Sequence, residues 1–364
     1  MVHRRQATAI AVAVTVVFSA GLIAQKKDDK KQDEAQKKEL QSVLKLVDDV
    51  AAGTAQPPND LSLTWVREDF IKAQGNKEYV PFVMTIDSSK ISSGNLVFYW
   101  RVAPKGAAPA APAPVPAAKD DKKDKDKDKA KPRVEYPYED YNVVPVTQAA
   151  APGGPMKIAR SFTVPAGTYD VFVVAKEAVP MTPPPKGAPS FVAKTSVMKQ
   201  SLTVPDFWNG ELSTSTVLVA ERIDPLPAPL TPQQQEERPY ALGQMEIVPQ
   251  LALTYSKKGE LSVFMLIYNP KSDAANKPDI VVEYNFYQKQ AGSEKFFNKT
   301  NPTNLNAQTL PPGFDMAAGH QLQAGQAVPL ASFPEGDYRL EIKVTDKVAN
   351  KTLTRDVNFT VTAS

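Results

Sequence analysis

The sequence predicts a mainly β protein: two tandem immunoglobulin-like antiparallel β-sandwiches preceded by a short N-terminal helix. The first reason is that three landmarks occur twice, in the same order and at nearly constant offsets of 168, 166 and 169 residues. The paired ranges are 78–86 with 246–254, 95–105 with 261–271, and 165–171 with 334–340. Repetition at a fixed distance indicates a duplicated structural unit.

The second reason is strand periodicity. From Tyr338 to Val344, apolar residues alternate with polar ones, as expected for a half-buried antiparallel strand. Short segments of this kind, separated by Gly, Pro, Asn and Asp, are typical of two-sheet sandwiches. A Gly-x-Tyr motif resembles the tyrosine corner of immunoglobulin-like folds, with Tyr169 and Tyr338 in that role. Trp100 is then expected in the first core.

Residues 1–24 are predicted to be a secretory signal. Arg4 and Arg5 precede an apolar run over residues 7–24, the usual layout of an export signal. Cleavage would give a periplasmic, secreted or cell-surface protein. A run of this length is also close to the minimum that spans a bilayer. The alternative is therefore an inner-membrane anchor, in which the chain meets the membrane only through this segment.

Residues 25–60 are predicted to form a charged helical segment. Apolar residues recur there at spacings of three and four, which places them on one helix face. They are Leu40, Val43, Leu44, Val47 and Val50. The stripe is too short for a coiled coil, so we expect a helix that packs on its own domain or acts as a stalk.

The remaining chain divides into three parts. The first sandwich is predicted over residues 61–205, with a disordered Ala/Pro and Lys/Asp insertion at 105–133 that has almost no apolar side chains to bury. Residues 206–242 are predicted to be a connecting strand and a semi-extended Pro-rich linker. The second sandwich is predicted over residues 243–364.

Composition argues against most catalytic chemistry. The chain has no cysteine and only two histidines, His3 and His320, so thiol catalysis and zinc sites are not expected. His320 is expected to be an ordinary surface residue. No phosphate-binding glycine loop follows a strand. The near-balanced charge of +3 gives no reason to expect nucleic acid as a partner. We therefore expect a non-enzymatic protein with no cofactor and no metal, which binds an envelope protein or itself.

Two features are candidates for the binding surface. The 135–141 segment combines acids with tyrosines, which predicts either a glycan-binding or carbohydrate-active module or simple re-entry into the sandwich. Some strands are also apolar on both faces, which predicts either a partner surface or cover by another part of the chain. The candidate residues are Tyr136, Tyr138, Glu139, Asp140, Tyr141, Phe172, Val174, Val263, Met265 and Ile267.

The layout resembles a family of uncharacterised exported bacterial proteins typical of Acidobacteria. The residues that carry the resemblance lie at 79–82 (Tyr-Val-Pro-Phe), 165–169, 212–215 and 336–338. Some relatives carry von Willebrand A-type or GWxTD modules. Here Asp87 begins an A-type metal motif, but Ile91 stands at its last serine position, and no GWxTD motif occurs. The resemblance implies tandem immunoglobulin-like domains and export, and no activity.

Overall fold

The computed structural model describes residues 38–106, 135–146, 154–180 and 189–363. The predicted signal, nearly all of the 105–133 insertion and most of a Pro-rich loop at 180–189 lie outside these ranges. Within them, strands dominate and form four sheets. Helix α1 covers residues 38–51 and helix α2 covers Pro232–Glu237.

Eight strands form the first sandwich. In chain order they are β1 (Thr64–Glu68), β2 (Ile71–Lys72), β3 (Glu78–Ile86), β4 (Asn95–Pro104), β5 (Tyr138–Pro145), β6 (Met156–Val164), β7 (Gly167–Glu177) and β8 (Thr195–Val204). Sheet A has the order β5-β4-β7-β8, and in sheet B strand β3 lies between β6 and the β1/β2 pair. Both sheets are antiparallel, and Trp100 lies in the core between them as predicted.

Twelve strands form the second sandwich. They are β9 (Ser213–Thr214), β10 (Leu218–Pro225), β11 (Ala241–Leu242), β12 (Met245–Pro249), β13 (Thr254–Ser256), β14 (Glu260–Tyr268), β15 (Ile280–Gln290), β16 (Ser293–Lys299), β17 (Thr303–Leu305), β18 (Leu322–Pro329), β19 (Gly336–Asp346) and β20 (Lys351–Thr362). Sheet C contains β9–β12, β14 and β18, and sheet D contains the rest. The β13–β20 pair is parallel, unlike the other pairings of the described strands.

Both tyrosine corners are present. Tyr169 donates from its hydroxyl to the carbonyl of Pro165 at 2.9 Å, and Tyr338 donates in the same way to Pro334 at 2.8 Å. In each case the preceding glycine, Gly167 or Gly336, has a positive φ that other residues rarely adopt. The motif thus fixes the entry of β7 and β19 into their sheets, as predicted.

The duplication is correct at the level of the fold, but two of its three sequence landmarks are out of register. Strand β3 lies between β1 and β6, and β14 lies between β10 and β18. Because β6 and β18 each directly precede a Gly-x-Tyr strand, the counterpart of β3 is β14 and not β12. Likewise β4 corresponds to β15, which pairs with β19 as β4 pairs with β7. Only the Gly-x-Tyr landmark joins equivalent strands. Apolar strands of similar composition can be aligned in several ways, so sequence alone did not fix the register.

The predicted linker is more structured than expected. Strands β9, β10 and β11 belong to sheet C, so the second sandwich begins well before residue 243. Within the supposed semi-extended part, α2 forms because Thr231 caps it and Gln234 completes a capping box, with Pro232 in the first turn. The connecting strand predicted within 206–242 is present as β9 and β10, and the Pro-rich part, predicted to be semi-extended, contains α2 and β11.

The four sheets stack in the order A, B, C, D, with α1 on the outside of sheet A. A layer of buried apolar residues lies between each pair of neighbours: α1 with A, A with B, B with C, and C with D. The outer face of sheet D is polar and carries ion pairs such as Lys343–Glu283. Strands with two apolar faces are therefore those whose second face meets another layer.

Candidate partner surface

Strand β5 carries most of the predicted 135–141 cluster and forms the edge of sheet A. Its side chains alternate between the two faces of the sheet, because successive residues of a strand point in opposite directions. Tyr138 packs on the inner side against Trp100 and Phe162, at ring distances of 6.3 Å in both cases. Its neighbour Glu139 accepts a hydrogen bond from Tyr99, whose ring lies on the outer face. The cluster is thus divided between two environments.

On the outer face, Glu139 belongs to a network centred on Arg101. The Arg101 guanidinium is almost fully buried and donates to Asp48 of α1 at 2.5 Å and to Glu139 at 3.2 Å. It also lies 4.1 Å from the centre of the Tyr136 ring, a cation–π geometry. Burial raises the pKa of Tyr99, so its hydroxyl remains a donor to Glu139. The network fixes α1 on sheet A.

Asp140 lies on the other side of the strand, opposite Trp100 in the register. Its carboxylate accepts the backbone N–H of Tyr141 at 2.7 Å. That N–H is therefore not available to a further strand, and charged residues at a sheet edge discourage strand addition. Because Glu139 and Asp140 are consecutive residues of β5 and point to opposite faces of the sheet, these two carboxylates cannot flank one glycosidic bond. This geometry argues against a carbohydrate-active site built on the Glu139–Asp140 pair.

Beside the network, α1 and β5 border an open groove of about 950 Å³. Its walls and floor include three large apolar residues that are half exposed: Tyr141 at 48%, Val143 at 47% and Val179 at 54%. Leu40 of α1 and the nearly buried Val97 of β4 also line this groove. Polar groups such as Lys176 lie at the same groove. An apolar surface with a polar rim is the usual composition of a protein contact site.

Five of the predicted surface residues are not at a surface. Phe172 and Val174 lie under α1 on the outer face of sheet A. Val263, Met265 and Ile267 point into the second core between sheets C and D, and the opposite side of β14 is covered by sheet B. The partner-surface interpretation of these five residues is wrong, and cover by the chain itself is confirmed. Of the other five, Tyr141 is the exposed one.

Several polar residues at internal contacts were not predicted. Asp69 and Arg67 form an ion pair where the sandwiches meet, and Tyr240 donates to the same carboxylate. Glu78 is fully buried at the start of β3. The sequence signal for a buried polar contact is a charged residue inside an apolar strand, such as Arg101 at the contact between α1 and sheet A. Arg67 lies two residues from Asp69, but the other partners, Tyr240 of Asp69 and Phe207 of Glu78, are distant in sequence and could not be paired from it.

The remaining predicted features have structural roles. His320 lies exposed in the loop before β18, as expected, and its Nδ1 accepts the N–H of Asp315 at 3.1 Å. Asp87 caps a short 3-10 turn by accepting from Ser89. Among the described residues, no group of three or more His, Cys, Asp or Glu side chains is arranged to hold a metal ion. None of the helices in the described ranges is long and apolar enough to cross a membrane.

No protein-family model and no curated protein matches the chain. Among solved structures, it is similar to trypsin-activated alpha-2-macroglobulin from Escherichia coli, with 10% identity, a TM-score of 0.22, and coverage of 85% of this chain and 17% of that one. It is also similar to Salmonella alpha-2-macroglobulin reacted with methylamine, with 11% identity, a TM-score of 0.19, and coverage of 84% and 17%. The chain thus spans less than a fifth of either protein, and a likeness at this level does not bear on what the chain binds.

Proposed function

We propose that this chain is an exported, non-enzymatic binding or structural protein of the cell envelope, which contacts another protein through the groove between α1 and β5. The observation that carries the proposal is the grouping of Tyr141, Val143 and Val179 at one groove, each about half exposed. Export rests on the signal predicted over residues 1–24. The resemblance to exported acidobacterial-type proteins agrees with it and is part of the same proposal.

The packing explains why this groove is favoured over the sheet faces. The apolar second faces of sheets A, B and C are covered by α1 or by each other. Apart from the exposed Phe296 on β16, the outer face of sheet D carries mainly charged and polar residues that pair among themselves, such as Arg339 with Asp356 and Glu341. Such a layered stack suits the proposed structural role, and the groove is a place where apolar surface is still open.

Glycan binding is a second candidate. The half-exposed Tyr141 ring lies at a groove with polar groups from Ser93, Asn95 and Lys176, and sugars bind to proteins on such combinations of aromatic and polar groups. This version requires no pair of catalytic carboxylates. A glycan would therefore bind at the same groove as the protein partner of the first candidate.

A protein comprising residues 25–364 with Tyr141→Ser and Val143→Ser is expected to capture at least tenfold less partner protein from envelope extract than the unchanged protein of the same length. The reason is that removing two exposed apolar side chains from the centre of a contact surface weakens it by about 1 kcal/mol or more for each. The matched control is Phe296→Ser on β16, an aromatic residue of similar exposure on sheet D.

The capture is read by mass spectrometry, and the oligomeric state of the same sample distinguishes a foreign partner from self-association. N-terminal sequencing of the protein purified from its own cells tests cleavage of residues 1–24. Equal capture by the groove variant and the Phe296→Ser control would contradict the proposed surface. Binding to a glycan array that depends on Tyr141, without any captured protein, would favour the second candidate.

A further inference from the structure

The junction of the two sandwiches encloses a carboxyl group that forms no ion pair with any of the described residues. Glu78, the first residue of β3, has no exposed surface. Its Oε1 accepts the backbone N–H of Phe207 at 3.0 Å. Its Oε2 is buried and has no hydrogen-bond partner among the described residues. Buried carboxylates are normally paired or hydrogen-bonded on both oxygens, because an uncompensated charge away from water is costly.

Phe207, whose N–H donates to Glu78, belongs to the segment 206–211, which leads from the first sandwich into the second. The second sandwich holds the same segment from the other side. Asn269, which follows β14, donates from Nδ2 to the carbonyls of Phe207 and Glu211, both at 2.9 Å. The Phe207 ring packs on Tyr268 at 5.0 Å. The segment is therefore hydrogen-bonded to Glu78 of the first sandwich and to Asn269 of the second.

The charged and titratable groups that face Glu78 are Lys72 on β2, Asp206 in the segment and Tyr268 on β14. Lys72 does not neutralise the carboxylate directly. Its Nζ donates to the Asn269 side chain at 2.9 Å and lies 4.2 Å from the centre of the Trp208 ring. Asp206 adds a second negative charge nearby. The surroundings thus favour the neutral form of Glu78.

We propose that Glu78 is a pH-sensitive latch between the two sandwiches. The protonated side chain stays buried against the segment 206–211. Ionisation opens this contact because the buried, unpartnered Oε2 then needs water, and this cost outweighs the stronger hydrogen bond that the Phe207 N–H makes to an ionised oxygen. This inference is independent of the groove and of what binds there. It concerns how firmly the two halves of the stack are joined.

The direction of the pH response follows from linkage. Burial raises the pKa of Glu78 to about 7, helped by Asp206 and opposed by the Phe207 N–H and Lys72. A group whose pKa is higher in the folded than in the open state stabilises the folded state fully below its ordinary value. That contribution is lost as the pH rises through the folded value. The latch is therefore expected to be firm at pH 5.5 and loosened at pH 8.

The test is amide hydrogen exchange of residues 207–211, corrected for the intrinsic effect of pH on exchange. In the unchanged protein, protection of this segment is expected to fall on the order of tenfold between pH 5.5 and pH 8. In Glu78→Gln, which keeps the shape and an acceptor for the Phe207 N–H but cannot ionise, protection is expected to change little. Glu283→Gln, at an exposed ion pair of sheet D, is the matched control and keeps the response of the unchanged protein.

Two results would overturn the latch: an unchanged protein whose segment protection does not respond to pH, or a Glu78→Gln variant that responds in the same way. If the variant does not fold, a carbon-13 NMR titration of the unchanged protein decides the question. A Glu78 carboxyl that titrates near pH 7 together with the Phe207 amide supports the latch, and one that titrates near the ordinary value of 4.5 contradicts it.

Discussion

Replacing Asp69 by alanine is expected to lower the free energy of unfolding by about 3–5 kcal/mol, because it leaves a buried positive charge without its partner. Asp69 has no exposed surface and accepts from Arg67 through both oxygens, at 2.6 and 2.7 Å. Tyr240 also donates to it at 2.9 Å and would lose its acceptor. Arg67 in turn donates to the carbonyl of Val217 at 3.1 Å, so the change acts at the contact between the two sandwiches.

Urea unfolding followed by tryptophan fluorescence measures this effect. The control is Glu283→Ala, which breaks an exposed ion pair with Lys343 on sheet D and is expected to leave the unfolding midpoint almost unchanged. A loss of less than about 1 kcal/mol for Asp69→Ala would mean that the Arg67 charge remains solvated, and that the sandwiches are not closely packed at this point.

Arg101→Ala is expected to have the next largest effect, a loss of about 3 kcal/mol together with release of α1 from sheet A. The guanidinium joins Asp48 of the helix to Glu139 of β5, and its removal leaves both carboxylates near an apolar layer. That layer includes Val43 and Val47, both fully buried in the native state. Once the helix detaches, the apolar face of sheet A becomes accessible.

Limited proteolysis within residues 38–51, combined with urea unfolding, reports both parts of this prediction. Lys45→Ala removes an exposed ion pair with Asp49 on the same helix and serves as the matched control, with no measurable change expected. If Arg101→Ala unfolds at the same urea concentration as the control and α1 stays resistant to protease, the network does not hold the helix.

Much of the fold could be predicted from local pattern. Alternation in β19 and the Gly-x-Tyr motif each depend on neighbours in sequence, and the structure confirms both. The stripe on α1 was also readable, since Val43 and Val47 recur at helical spacing and lie against sheet A. These features depend on contacts within one element or with the next, so a single sequence contains them.

What sequence could not supply is which layer covers which face. Phe172 and Phe264 both lie on second apolar faces, and the sequence is the same whether a helix, a sheet or a foreign partner covers them. The pairs Asp48–Arg101 and Asp69–Tyr240 join residues far apart in the chain. The sequence alignment of the two copies was out of register for a related reason. Apolar strands such as β3 and β12 resemble each other in sequence without occupying equivalent positions in the two sandwiches.

Hydroxyl-radical footprinting of the native protein tests most directly whether the chain covers its own second faces. The packing predicts that Phe172, Phe264 and Tyr268 stay unmodified, because they lie under α1 or between sheets B and C. Phe296 and Tyr141, each about half exposed, are expected to be oxidised in the same sample. Oxidation of Phe264 and Tyr268 at the rate of Phe296 would show that sheets B and C do not pack together, and would contradict the layered stack.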